Sequence, residues 1–300
     1  MMQKTPEKAF GSHYFTSGTP IAVAEVNPSP HAQHPHDLTG IEHYHDFCEL
    51  VLVTAGSTIH CIDGEEYPVS AGDLFLIQGH ARHHFAERGK VGMFNVQFDP
   101  DRLPLPLDSL RQIPGYNVIF HLEPALRDKS GANRLRLDGE KRTHAEELIR
   151  NLQRELRECA PGFEAAALAL LLELVVFAAR SYGEDPRPDR AALLRMGDVI
   201  GRIERDFTER ITLAELARSA HVSPNHLLRL FKTATGSTPG DYLLRVRLRH
   251  AAKLLRQSAL AIGEVAEASG FTDSNYFSRK FREAYGKNPR AYRDSADRSH

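Results

Sequence analysis

Between Ile21 and about Phe98, apolar and polar residues alternate in short runs: IAVAEV, CELVLVTAG, IHCIDGEEYPV, AGDLFLIQG and VGMFNVQF. Glycine, proline or aspartate punctuates them. A period of two marks strands with one buried face, and several such strands with regular turn signals predict a small barrel or sandwich. Asp63-Gly64 supplies the positive φ angles of a tight hairpin. After the Pro-rich passage from Asp99 to Pro114 the period changes. Ala145, Leu148, Ile149, Leu152 and Leu156 recur at three and four, predicting a helix that stops before Pro161-Gly162. A second helix, apolar nearly all round, is expected from about Phe163 to Tyr182. Such a pair would cover the open side of the barrel. The stripe Leu148, Leu152 and Leu156 has a second possible role, pairing with its copy in another subunit.

GEDPRPDR, Gly183 to Arg190, reads as a polar linker, and everything beyond it reads as helix. In ITLAELARSAHVSPNHLLRLFKTATG a short amphipathic helix carries Leu213, Leu216 and Ala217, and a turn follows at Ala220 to Val222. Ser223 then caps a second helix with Pro224 at its first position, where the missing N–H costs nothing. Leu227, Leu230 and Phe231 face inward, which leaves Asn225, His226, Leu228, Arg229 and Lys232 on the outer side. LAIGEVAEASGFTDSNYFSRKFREAYG repeats the pattern. Ile262, Val265 and Ala266 match Leu213, Leu216 and Ala217; Phe271-Thr272 matches Val222-Ser223; Arg279 and Phe281 match Arg229 and Phe231. The offset is 49 before the second helix and 50 after it, so the second unit has one extra residue near that helix's start. This is an internally duplicated helix-turn-helix. A helix from about Pro239 to Arg256 joins the two, and its roughly 27 Å length suits two recognition helices in major grooves roughly 34 Å apart on one face of DNA.

Charge sharpens the picture. The net charge of -1 hides an asymmetry: residues 1–189 hold 18 Lys and Arg against 27 Asp and Glu, and residues 190–300 hold 20 against 12. A basic last third behind an acidic first part is expected when only one domain meets a polyanion. Cys48, Cys61 and Cys159 form no CxxC pair, so buried free thiols in a reducing cytoplasm are expected. MMQKTPEKAFGSHYF lacks the apolar stretch of a secretory signal, and the apolar run Ala165 to Ala179 falls short of the ~20 residues that span a bilayer. No membrane association is expected.

Residues 191–293 resemble the DNA-binding domain of the AraC/XylS family. Gly270-Phe271, Tyr276-Phe277-Ser278-Arg279, Phe281, Gly286, Pro289 and Tyr292-Arg293 fit its closing signature, GF…YFSR.F…G..P..YR. The resemblance implies base-reading candidates at Asn225, Leu228 and Arg229, and at Ser274, Asn275 and Ser278. Arginine suits guanine and asparagine adenine, whereas Leu228 offers only contact with a thymine methyl. Arg279 is open between phosphate clamp and helix packing, and His226 and Lys232 complete the outer face. Any of these also suits backbone positioning, where most protein–DNA hydrogen bonds go.

HYHDFCE places His43, His45, Phe47 and Glu49 on one side of a strand, continuing to Val51 and Val53. This fits the first cupin motif, HxHxxxE, ending at Gly56; the second is partly present in Gly72, His83 and Glu87, with Gln78 and His80 in place of its proline and second glycine. In metal-binding cupins the matching ligands would be His43, His45, Glu49 and His83, a set suited to Zn, Fe, Ni or Mn. Sensors resembling the rhamnose regulators show similar strands while binding a sugar with no established metal. Three readings therefore stand: a metal site, a metal-free small-molecule pocket that adds Gln78, Asn95 and Gln97 to the same residues, or structural histidines.

The expected architecture is two-domain. Residues 1–182 form an N-terminal all-β cupin (jelly-roll barrel) with flanking helices, with the barrel at about 15–120 and the helical pair at about 139–182. A linker at 183–190 leads to a C-terminal all-α double helix-turn-helix at 191–300. The expected function is a cytoplasmic, dimeric, non-enzymatic regulator that binds double-stranded DNA, senses a small molecule, by resemblance a carbohydrate, and contacts RNA polymerase as an activator of catabolic genes. The alternatives are a metal-dependent cupin enzyme with a DNA-binding tail and a constitutive regulator whose barrel only dimerises.

Overall fold

The computed structural model describes residues 7–26, 42–78, 81–86, 91–122, 134–184 and 188–297. The chain divides after Gly197 into two compact units.

The first unit is built on strands β1 (Glu7–Ala9), β2 (Ile21–Val26), β3 (His43–His45), β4 (Cys48–Ala55), β5 (Ser57–Ile62), β6 (Glu65–Ser70), β7 (Asp73–Ile77), β8 (His83–Phe85), β9 (Gly92–Phe98) and β10 (Leu135–Arg136). One sheet runs β1-β3-β8-β5-β6 and the other β10-β7-β4-β9-β2. Val51, Phe75, Ile77 and Met93 from the second sheet close on Ile62, Val69 and Phe85 from the first, giving a jelly-roll sandwich with one apolar core. The β5–β6 hairpin turns on Asp63 and Gly64, with φ of 49° and 82°, the two-residue turn that IDGEEY predicts. At Gly72, φ is 95° and a Cβ would lie 2.7 Å from the Leu137 carbonyl oxygen, so only glycine fits.

HYHDFCEL was expected to be one strand and is two. The chain leaves the first sheet after His45, bends at Asp46-Phe47, and enters the second at Cys48. The corner spends two residues, so the alternation is preserved across it and both pieces turn the same parity toward the shared interior.

Helices α1 (Leu107–Leu110) and α2 (Pro114–Asn117), the latter running into a π-turn at Val118–Leu122, precede the pair α3 (Gly139–Glu158) and α4 (Phe163–Gly183). Asp138 caps α3 by accepting the Lys141 N–H, and Cys159 closes it in the left-handed conformation. α3 packs against α4, β2 and β4. Leu148 and Leu152 are buried within the chain, Leu152 completely, and Leu156 is half-buried. The first two therefore cannot offer a stripe to a second subunit: intrachain packing has consumed it, and the dimer assignment of Leu148 and Leu152 is corrected. The cysteine expectation also changes, since Cys48 is buried, Cys61 half-buried and Cys159 exposed. Burial, with Asp99 and Asp101 adding to it, pushes the Cys48 thiol up to about 12.

The polar segment 183–190 does not mark the division between units. Residues 185–187 lie outside the described ones, and α5 (Pro188–Arg205) has already begun at Pro188. Arg190, 1 % exposed, sits 4.0 Å over the Tyr182 ring and donates to the Arg134 carbonyl. A Cβ on Gly197 would collide with the Pro114 carbonyl oxygen at 2.5 Å. The helix up to Gly197 thus belongs with the first unit. Among the described residues no helix is long and apolar enough to cross a membrane.

The second unit holds the rest of α5 and helices α6 (Leu213–Ser219), α7 (Pro224–Thr235), α8 (Pro239–Gln257), α9 (Ile262–Ala268), α10 (Ser274–Tyr285) and α11 (Pro289–Asp297). Leu248, Ala252 and Leu255 of α8 pack with Val265, Phe277 and Phe281 of the second repeat. At the end of α5, Glu204 is 1 % exposed, accepts the Tyr242 hydroxyl at 2.9 Å, and pairs with Arg249 at 2.8 Å. Burial, then the Glu204 charge, holds the Tyr242 hydroxyl well above its usual range.

Candidate DNA interface and buried polar cluster

The two helix-turn-helix units are built from the same local chemistry. α6 opens with a capping box between Thr212 and Glu215. Its end is wound back by the Val222 N–H bonded to the Ala217 carbonyl, with His221 at φ 54°. In the second unit the Phe271 N–H bonds the Ala266 carbonyl, with Gly270 at φ 80°. At Gly270 a Cβ would lie 2.8 Å from the Thr208 Cα, which explains glycine there where His221 is tolerated in the first unit. Ser223 caps α7 by accepting the His226 N–H at 3.3 Å, and Asp273 caps α10 by accepting the Asn275 and Tyr276 N–H groups. The cap of the second recognition helix is therefore Asp273, and Thr272 is the extra residue of that repeat.

These caps fix which faces look outward. Leu227, Phe231, Phe277 and Phe281 are fully buried, leaving Asn225, His226, Arg229 and Lys232 exposed on α7 and Ser274, Asn275 and Arg279 exposed on α10. Leu228 and Ser278 are half-buried. The Arg279 guanidinium lies 5.5 Å over the Tyr276 ring, a surface stack that keeps its charge in solvent. Part of the arginine content of α8 serves the fold: Arg247 donates to the carbonyls of Phe207 and Glu209.

In the barrel, His45, Glu49 and His83 meet in the interior, none more than 4 % exposed. Glu49 Oε2 lies 3.4 Å from His45 Nε2 and 3.5 Å from His83 Nε2. The other ring nitrogens are committed: His45 Nδ1 is 2.8 Å from the Phe47 carbonyl and His83 Nδ1 3.1 Å from the Ala81 carbonyl. A carbonyl only accepts, so each Nδ1 carries the hydrogen. The Gln97 amide donates to Glu49 Oε1 at 3.4 Å. Burial alone would raise the Glu49 carboxyl, but the two imidazoles outweigh it and hold the group well below the usual carboxylate range.

The remaining predicted residues divide around this trio. His43 pairs with His83 across the strands, rings 4.3 Å apart, and stands outside the group whose ligand atoms lie within 4.8 Å of one another. Of the four residues that the cupin motif implies, the structure brings three together. Gln97 stands opposite Glu49 and Asn95 opposite Val51, both buried on the interior face. Gln78 is not part of the cluster. It follows Ile77, whose side chain is in the core, so alternation turns it to the other face, where it donates to the Phe120 carbonyl and meets Cys48. Glu87 and His80 lie outside the described residues. His60 was not anticipated: buried on β5, it stacks between Phe75 and Phe85 with its ring 5.9 Å from His83. The alternation of Thr58, His60 and Ile62 in STIHCI carried that signal.

A family profile described as an AraC-like ligand binding domain matches residues 26–175, and one described as a helix-turn-helix domain matches residues 216–295. The HTH-type transcriptional activator RhaR of Escherichia coli K12 is 31% identical over 274 residues, covering 91% of each chain. The chain belongs to the AraC family of transcription regulators. RhaR of Shigella flexneri matches with the same identity and coverage, 31% over 91% of each chain. Among solved structures, the DNA-binding domain of AdpA in complex with a target DNA is 30% identical, covering 34% of this chain and 91% of that one at a TM-score of 0.33. An AraC-type regulator from Chromobacterium violaceum is 29% identical, with the same coverages and a TM-score of 0.33. As an AraC-family member the chain is a DNA-binding transcription regulator with a ligand-binding domain. The ligand-binding profile spans β3 to β9, where the polar cluster lies, and the helix-turn-helix profile spans both recognition helices.

Proposed function

We propose that the chain is a ligand-responsive activator that senses a carbohydrate or similar polyhydroxyl molecule in the barrel. The observation that carries this reading is that similarity to the RhaR activators runs through 91% of both chains, so the sensing and DNA-binding units come together. A buried interior that sets imidazole, carboxylate and amide groups beside apolar walls suits a small molecule rich in hydroxyls. His43, Asn95 and Gln97 join His45, Glu49 and His83 as the ligand contacts. Asn225, Arg229, Asn275 and Ser274 read bases, while His226, Lys232 and Arg279 hold phosphates; Leu228 and Ser278 support the two faces. The regulator acts in the bacterial cytoplasm as a homodimer and recruits RNA polymerase. To switch, the ligand must favour one arrangement by differential affinity, since equal binding to both shifts nothing.

The test is a thermal-shift screen of the full chain against mono- and disaccharides, followed by DNA-affinity titrations with and without the hit. A ligand at 100 times its Kd adds about 2.7 kcal/mol to the folded state. A hit that changes DNA affinity supports the reading. No stabilisation by any sugar, with DNA binding intact, would refute the sensing half.

A further inference from the structure

The trio in the barrel has features that a hydrogen-bonded structural cluster does not require. Its two N···O separations, 3.4 and 3.5 Å, are longer than the ~2.7–2.9 Å of a charge-assisted hydrogen bond. They match the ~3.3–3.4 Å edge of a tetrahedron whose corners sit about 2.0–2.1 Å from a central ion. Neither Nε2, although buried, makes a hydrogen bond of normal geometry among the described residues; each faces Glu49 Oε2 at this longer range. Such atoms are costly to leave without one. In addition, the atom of each side chain turned away from the centre is held by the protein. The Phe47 and Ala81 carbonyls take the two Nδ1 hydrogens, which fixes each ring with its Nε2 turned toward Glu49 Oε2. Gln97 occupies Oε1 and leaves Oε2 facing both rings. Outer contacts that set the tautomer of each histidine and the rotation of the carboxylate are what a metal centre needs.

We propose that His45 Nε2, Glu49 Oε2 and His83 Nε2 form a three-ligand site for a divalent transition-metal ion, oriented by Phe47, Ala81 and Gln97. The donor set, two imidazoles and a carboxylate, suits Zn, Fe, Ni or Mn rather than Ca or Mg. His43 stands aside, so the protein supplies one ligand fewer than the cupin motif would imply and leaves a coordination position for an oxygen of a bound molecule. That last role rests on the sensing reading above; the metal site itself does not.

The experiment uses untagged full-length chain, stripped by dialysis against a chelator and titrated with Co(II) by absorption spectroscopy and calorimetry, with elemental analysis of the protein as purified. One equivalent per chain is expected, with visible bands of a low-symmetry nitrogen–oxygen site and a rise in Tm. His83→Ala and Glu49→Gln should abolish binding. Gln97→Leu, which leaves all three ligands in place, should weaken it about 10–100-fold, and a merely structural Gln97 would not move that affinity. Less than about a tenth of an equivalent on the wild-type chain would overturn the proposal. So would Co(II) binding unchanged in the folded Gln97→Leu, His83→Ala and Glu49→Gln variants, since the ion would then lie elsewhere. A sugar that stabilises the chelator-treated protein, which takes up no metal, would refute the metal and leave the sensing reading intact. Stoichiometric metal with no sugar response would do the reverse.

Discussion

Replacing Glu204 with alanine tests how the second unit is held together. The carboxylate is buried at the end of α5 and engages two groups on α8, the Tyr242 hydroxyl at 2.9 Å and the Arg249 guanidinium at 2.8 Å. Their losses differ. The Arg249 side chain is 59% exposed and rehydrates when its partner goes, so its share resembles that of an exposed pair, at most about 1 kcal/mol. Tyr242 is buried, and its hydroxyl, deprived of its acceptor, costs about 1–3 kcal/mol. The sum, about 1–4 kcal/mol, is an appreciable fraction of a domain stability of roughly 5–15 kcal/mol. At about 4–8 °C per kcal/mol for a unit of this size, the transition should fall by roughly 4–30 °C. Calorimetry on the full chain reads it, with the transition of this unit identified by its shift on adding DNA. Tyr242→Phe removes the hydroxyl together with its need for an acceptor, so the double variant should cost less than the sum of the single ones. A Glu204→Ala change below about 0.5 kcal/mol, or strict additivity in the cycle, would refute the reasoning.

Arg229→Ala, on the exposed face of α7, should weaken specific DNA binding by about 1–3 kcal/mol while leaving binding to random duplex nearly unchanged; equal losses in titrations on both would make it a phosphate contact. Leu152→Ala, at a fully buried position on α3, should cost about 2–5 kcal/mol without changing the sedimentation mass, and a mass change in a protein of undiminished stability would restore the interface reading. In a thiol-labelling time course the native chain should modify Cys159 first and leave Cys48 untouched until unfolding, because Cys48 is buried with a thiol pushed up to about 12; early labelling at Cys48 would contradict its placement.

Much of this molecule is written in its periodicities. The five alternating runs are β2, β4, the β5–β6 hairpin, β7 and β9, and the three-and-four spacing of Ala145 to Leu156 is α3. The duplicated helix-turn-helix was legible even to its single extra residue, because the cap at Ser223 and the repeated apolar pattern leave local signatures, whereas the second cap, matched to Thr272, is Asp273. Other features depend on contacts far apart in sequence. Period two assigns a face but not a sheet, so the corner at Asp46-Phe47 was hidden, while the convergence of His45 with Glu49 survived it. The same parity should have excluded Gln78, which a motif comparison admitted. A helical stripe says that a face is buried and not by what, which is why Leu148 and Leu152 suited a partner subunit as well as the intrachain packing that buries them.

In vitro selection from a random-sequence duplex library with the full-length chain tests most directly that two recognition helices read DNA. Enrichment of a motif with two conserved blocks centred about 10–10.5 base pairs apart is expected, each block lost when α7 or α10 is altered at Arg229 or Asn275. A single block insensitive to one of those changes, or no enriched sequence at all, would contradict it.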